Sequence, residues 1–144
     1  MIEMKKYEYF EHTADAKFKA YGKNLEDAFS NSALAVFDIM VNTNLVEPKI
    51  KKEIKITGKN KESLLFDFLD ELLFFLDTEN FVLHKVENMK ITRKKGAYEL
   101  KATILGDKIN KKYEVSGIVK AITYNEMEIA KKDGVWVITA VVDR

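Results

Sequence analysis

A two-layer α+β sandwich, with two main helices packed on a mainly antiparallel β-sheet, is the fold class this sequence predicts. Three observations carry it: two stretches whose apolar residues recur at helical spacing, several segments that alternate apolar with charged residues, and an Asp-Gly pair set between two apolar runs. Each helix has one apolar face and needs a layer to bury it, and an antiparallel sheet with one apolar face supplies that layer. The chain of 144 residues reads as a single domain, 1–144, long enough to bury about 68–70% of its unfolded surface.

Tyr7–Glu11 is rich in strand-forming aromatics, and Ala16-Lys-Phe-Lys-Ala-Tyr21 alternates small or apolar with charged positions, the pattern of a half-buried strand. His12–Asp15 is the turn between them. Gly22 ends the second strand. Asn24 then offers a side-chain oxygen to the first amides of a helix, with Glu26 and Asp27 where the helix dipole favours anions. Leu25, Ala28, Phe29, Ala33, Val36, Phe37 and Met40 recur at helical spacing and predict a helix over 25–41. After a loop closing at Pro48, the chain's only proline, Ile50, Ile54 and Ile56 mark a strand with a basic outer face, ended by Gly58. Asn60 opens a second helix over 61–77, whose apolar set from Leu64 to Leu76 is broad enough to be mostly buried.

From Phe81 onward the pattern is that of strands. Met89–Arg93 and Tyr98–Ile104 read as a hairpin about Lys94-Lys-Gly96, and Gly106–Lys112 as a loop or short helical turn. Val119–Ile129 and Val135–Val142 flank Lys131-Lys-Asp-Gly134, where Asp-Gly predicts a tight hairpin because glycine accepts positive φ. The total is two helices and six or seven strands in one sheet.

Composition excludes several classes. Cysteine is absent, which removes disulfides, thiolate zinc sites and cysteine nucleophiles and points to a reducing, cytoplasmic setting. No stretch approaches the roughly 18 apolar residues of a membrane span, and Met1–Lys6 leads into no apolar run. Lys and Arg number 24 against 23 Asp and Glu, a net charge of +1, which argues against a dedicated nucleic-acid binder with a large cationic excess. The basic runs 49–55, 90–95 and 108–112 read as solvated strand faces and turns. No phosphate-binding glycine loop, metal-spaced histidine pair or Gly-x-Ser-x-Gly turn is present.

The candidate site is built from the two ends. The apolar run Val135–Val142 is followed by Asp143 and Arg144, so an acidic side chain and a main-chain carboxylate sit at a strand end, and Asp15 is the partner carboxylate. Carboxylate and carbonyl oxygens without thiolates or clustered imidazoles select hard cations such as calcium, magnesium or manganese, not zinc. The competing reading is that Asp15 or Thr13 only satisfies amides of its own turn. His12 shares that turn, and Lys120, Thr123 and Tyr124 interrupt an apolar run, either as ordinary strand residues or as supporting contacts. His84 has no carboxylate neighbour in sequence and reads as a structural or surface residue.

These blocks together resemble the archease family over the whole length. The segment His12-Thr-Ala-Asp15 followed by Gly22, the Leu-rich helix with Asp70-Glu-Leu-Leu73, the segment Val119-Lys-Ala-Ile-Thr-Tyr124, and an end of two valines, an aspartate and one last residue carry the resemblance in order. Glu11, Asn125 and Arg144 stand where the family usually has an aspartate, a histidine and an apolar residue.

The resemblance implies an accessory protein of tRNA splicing that activates an RtcB-type RNA ligase, promoting its guanylylation and multiple turnover without ligating RNA itself. It also implies a divalent-metal site, calcium first, on Asp15, Asp143 and a terminal oxygen of Arg144, with RNA met only through the ligase. Two other classes stay open: a metal-dependent phosphoesterase in which Lys120 stabilises developing charge, and a general chaperone of nucleic-acid-processing proteins.

Overall fold

Both helices begin where asparagine predicts. In the computed structural model, which describes residues 4–12 and 14–144, α1 spans Leu25–Asp38 and the Asn24 side chain accepts the Asp27 N–H at 2.8 Å. Helix α2 spans Lys61–Glu79, with Asn60 and Ser63 forming a reciprocal capping box. It ends at Asn80, whose φ of 56° makes a left-handed cap. Helix α1 stops three residues short of the predicted 41 because Asp38 turns its carboxylate onto the Thr43 N–H at 2.8 Å and onto the Tyr7 hydroxyl.

Among the described residues, eight strands accompany the helices: β1 Tyr7–Phe10, β2 Asp15–Gly22, β3 Ile50–Gly58, β4 Phe81–Lys94, β5 Ala97–Lys108, β6 Ala121–Ile122, β7 Glu128–Lys132 and β8 Val135–Asp143. All their pairings are antiparallel. The β layer is divided, where one sheet was expected: β1-β2-β8-β6, with β7 also on β8, forms one sheet and β3-β5-β4 the other. Alternation identifies a strand and its buried face but not its partner, so the division is invisible in the pattern.

Two local expectations change. Strand β5 runs through Gly106 to Lys108 instead of breaking into a loop. A Cβ at Gly106 would stand 2.0 Å from the Val82 carbonyl oxygen, so this glycine permits a close approach of β4 within the strand. The apolar run 119–129 is not one strand: β6 and β7 pair successively along β8, and residues 123–127 form the loop between them. The Asp133-Gly134 hairpin forms with both residues at positive φ, 51° and 78°.

The core lies between the helices and the inner faces of the sheets. Phe18, Ile138, Ala140 and Val142 enter it from the first sheet and Leu100 and Ile104 from the second, all fully buried. Phe29 of α1 stacks on Phe68 of α2 with centroids 6.2 Å apart. No helix among the described residues is long and apolar enough to cross a membrane.

Candidate functional site

The β2–β8 register sets Asp15 directly opposite Asp143. Opposed residues of an antiparallel pair project to the same face with Cβ atoms about 4.5–5.5 Å apart, so carboxylates from the two ends of the chain share one patch of surface. The phase is dictated by the core: Ala16, Phe18 and Ala20 alternate inward on β2, and Ala140 and Val142 on β8, which leaves Asp15 and Asp143 outward. The strand end is also held from its other edge, since Ala121 pairs with Asp143 and the Lys120 N–H donates to the Asp143 carbonyl oxygen at 2.8 Å.

Beside this pair stands a second cluster. His12 Nε2 lies 2.8 Å from Oε2 of Glu126, and Lys17 Nζ donates to Oε1 of the same carboxylate at 2.8 Å. A carboxylate only accepts, so the network assigns the proton to Nε2. The Lys17 contact, and after it the His12 contact, hold the Glu126 carboxyl below the usual carboxylate range. His12 Nδ1 is buried without a hydrogen-bond partner among the described residues; Asp15 Oδ2 is 3.6 Å away, too far for a hydrogen bond. Ala14 and Glu126 both have positive φ, 63° and 56°. Non-glycine residues in that region cost on the order of 1–3 kcal/mol each, strain that tends to gather where geometry serves a ligand or partner.

An open hollow of about 880 Å³ adjoins the cluster. One wall is apolar, from Tyr9, Phe10 and Ile39; the other carries Glu11, His12, Asp15, Lys17 and Arg144. The Tyr9 hydroxyl donates to the Ala35 carbonyl at 2.7 Å, and burial first, then Asp38, pushes its pKa upward, so it stays a neutral donor.

The predicted supporting residues take unequal roles. Thr123 is a brace: its hydroxyl donates to the Val141 carbonyl at 2.7 Å and accepts the Asn125 N–H at 3.2 Å, fixing the loop that presents Glu126. Tyr124 stacks on Phe66 of α2, centroids 4.4 Å apart and planes within 9°, and remains 54% exposed. Lys120 joins through its backbone, with its side chain in solvent. Thr13 lies outside the described residues. His84 is remote, its Nδ1 2.9 Å from the Thr43 carbonyl oxygen.

Glu126 is one of two acids in Glu126-Met-Glu128 with nothing in the sequence to single it out, and only the loop's backbone turns it toward His12.

Two opposed carboxylates suit a hard cation, a preference to which the neighbouring imidazole nitrogen adds nothing. Among the described residues, though, no three His, Cys, Asp or Glu side chains are gathered closely enough to hold an ion. An ion held here would have only Asp15 and Asp143 as side-chain ligands, and main-chain oxygens or water would have to complete its shell.

Residues 7–143 match the model of the Archease protein family (MTH1598/TM1083). A protein archease of Pyrococcus abyssi is 44% identical over 142 residues, 97% of this chain and 99% of that one. That of Methanothermobacter thermautotrophicus is 45% identical over 131 residues, covering 91% and 93% of the two chains. The solution structure of Methanobacterium thermoautotrophicum protein 1598 superposes with a TM-score of 0.85 at 41% identity, over 98% of this chain and 100% of that one. The crystal structure of an archease from Thermotoga maritima, described as a possible chaperone, shares the fold at TM-score 0.61 and 16% identity over the full length of both.

Proposed function

This chain belongs to the archease family, and on that premise we propose that it is an accessory activator of an RtcB-type tRNA-splicing RNA ligase, raising the ligase's guanylylation and turnover without ligating RNA itself. The observation that carries this reading onto particular residues is the cross-strand meeting of Asp15 and Asp143 beside an open, half-apolar hollow. Two like charges directly opposite each other destabilise a sheet, so a divalent cation held between them relieves a conflict built into the fold. Asp15 and Asp143 would hold it with a main-chain oxygen of Arg144; calcium fits first, with magnesium or manganese as alternatives. A bound ion supplies a concentrated positive charge that a nucleotide phosphate would meet.

The chain's own residues orient and present the tip. Lys17 and His12 clamp Glu126, which ties the 123–127 loop down over β2. The Lys120 N–H and β6 stop the end of β8 from fraying. Tyr9 and Phe10, 45% and 39% exposed, give a partner apolar area next to the charged groups. In this reading the tip enters the ligase's nucleotide pocket and biases the placement of phosphate or metal there.

The test is guanylylation of a cognate ligase at limiting concentration. Wild type is expected to raise the rate and restore multiple turnover; Asp143→Ala, or deletion of Asp143 and Arg144, is expected to abolish both while the metal-free protein stays folded, its thermal transition no lower than that of wild type. Stimulation by the deleted protein equal to wild type would refute the tip mechanism. Phosphoester hydrolysis by the isolated protein, lost in Asp143→Ala, would instead favour an enzyme.

A further inference from the structure

The outer face of the β3-β5-β4 sheet carries charge that the tip does not use. On β3, Lys51, Glu53, Lys55 and Thr57 are exposed while Ile54 between them is buried. The register continues that face across the sheet: Lys55 is opposite Lys101 on β5, and Lys101 is opposite Lys90 on β4. With neighbouring strands about 4.8 Å apart, three exposed lysines stand in one row roughly 10 Å long. Like charges placed directly opposite one another weaken a sheet, and here their neutralisation is incomplete. One carboxylate, Glu99, serves two of them, at 3.5 Å from Lys55 and 3.8 Å from Lys101. Among the described residues no carboxylate is within ion-pair range of Lys90.

Lysines on edge strands guard against edge-to-edge pairing. That accounts for Lys55 and Lys90 but not for Lys101, which lies on the central strand. Next to the row, β4 slips register between Glu87 and Lys90 with Asn88 at a φ of 52°, and a shallow depression of about 340 Å³ opens beside Lys55, Lys101 and Thr103.

We propose that this row binds the phosphate backbone of a nucleic acid strand directly and without reading its sequence. Ammonium groups on flexible stems meet phosphates as point charges. The face carries no exposed aromatic ring on which a base could stack, and none of the large exposed apolar side chains, which cluster elsewhere, that a protein core or a bilayer would take up. The net charge of +1 conceals the row, which Glu53, Glu87 and Glu99 on the same face offset only in part, against Lys51, Lys55, Lys85, Lys90 and Lys101. This contact is additional to the proposed ligase role, in which RNA is met through the ligase, and does not depend on it.

Fluorescence anisotropy of the full chain with a labelled 20-residue oligouridylate tests it. Three phosphate contacts to a single strand predict a slope of about −2 in log K against log salt, a loss of roughly 20-fold between 50 and 200 mM. The triple variant Lys55→Gln, Lys90→Gln, Lys101→Gln is expected to flatten that slope and to lose at least about tenfold in affinity at 50 mM, with its thermal transition kept or raised. Lys90→Gln alone should reduce the slope by about 0.7, which serves if the triple variant folds poorly. Asp143→Ala should bind as wild type does. Absence of wild-type binding at 50 mM salt, undiminished binding by the folded triple variant, or equally tight binding to phosphatidylserine vesicles would overturn the proposal.

Discussion

Replacing Asp143 by asparagine should stabilise the protein without metal and remove its response to metal. The two carboxylates are a directly opposed pair on β2 and β8, with Cβ atoms about 5 Å apart. At that distance two unit charges repel by about 0.8 kcal/mol in a water-like dielectric, and by about 3 kcal/mol at an effective dielectric near 20. Asp143 is exposed and Asp15 partly so, which places the effect at the low end, roughly 0.5–1 kcal/mol. For a chain of this size 1 kcal/mol moves Tm by about 2–4 °C. In chelator, then, Asp143→Asn should melt about 1–4 °C above wild type. Calcium at 100 times its Kd would add about 2.7 kcal/mol to wild type, a rise of roughly 5–10 °C, and little or nothing to the variant. Differential scanning calorimetry in chelator, in calcium and in 1 M NaCl reads all three states, and the high-salt melts should bring the two metal-free proteins together because exposed charges are screened. A variant less stable than wild type in chelator, or calcium shifts of equal size in both proteins, would refute the reasoning.

Two further perturbations probe the scaffold. Phe29→Ala should cost about 3–5 kcal/mol, since Phe29 is fully buried and stacks across the helix pair on Phe68; urea unfolding followed by the fluorescence of Trp136, the only tryptophan, measures it. Asp107 accepts from the Tyr113 hydroxyl at 2.6 Å and the Lys108 N–H at 2.8 Å, and the Tyr113 bond first of all holds its carboxyl below the usual range. A lowered folded pKa gives stability that is present above the ordinary aspartate value, about 3.9, and is lost as pH falls through the folded value. Asp107→Asn should therefore melt below wild type at pH 7, with the gap closing in melts carried out below about pH 4.

Much of this protein is written locally. Asn24 and Asn60 open helices because a short side-chain oxygen reaches the third amide, and Asp133-Gly134 turns a hairpin because that turn needs positive φ. Alternation along Ala16–Tyr21 sets which face of β2 is buried and so sets Asp15 outward before any partner strand is known, whereas the unbroken apolar run to Val142 leaves the phase of Asp143 to the tertiary structure. Other features depended on which strands meet. The division into two sheets, the alignment of Lys55, Lys101 and Lys90, and the exact opposition of Asp15 and Asp143 are matters of register between segments distant in sequence. Glu126 is the clearest case. Nothing distinguishes it from Glu128 along the chain, and its role arises because β6 and β7 share β8 and throw out a loop between them, held by Thr123 and turned at a positive φ toward His12 and Lys17. Local pattern reports the free energy of burying one face of one element, whereas pairing and loop direction are decided by the packing of all the elements together, which no single segment encodes.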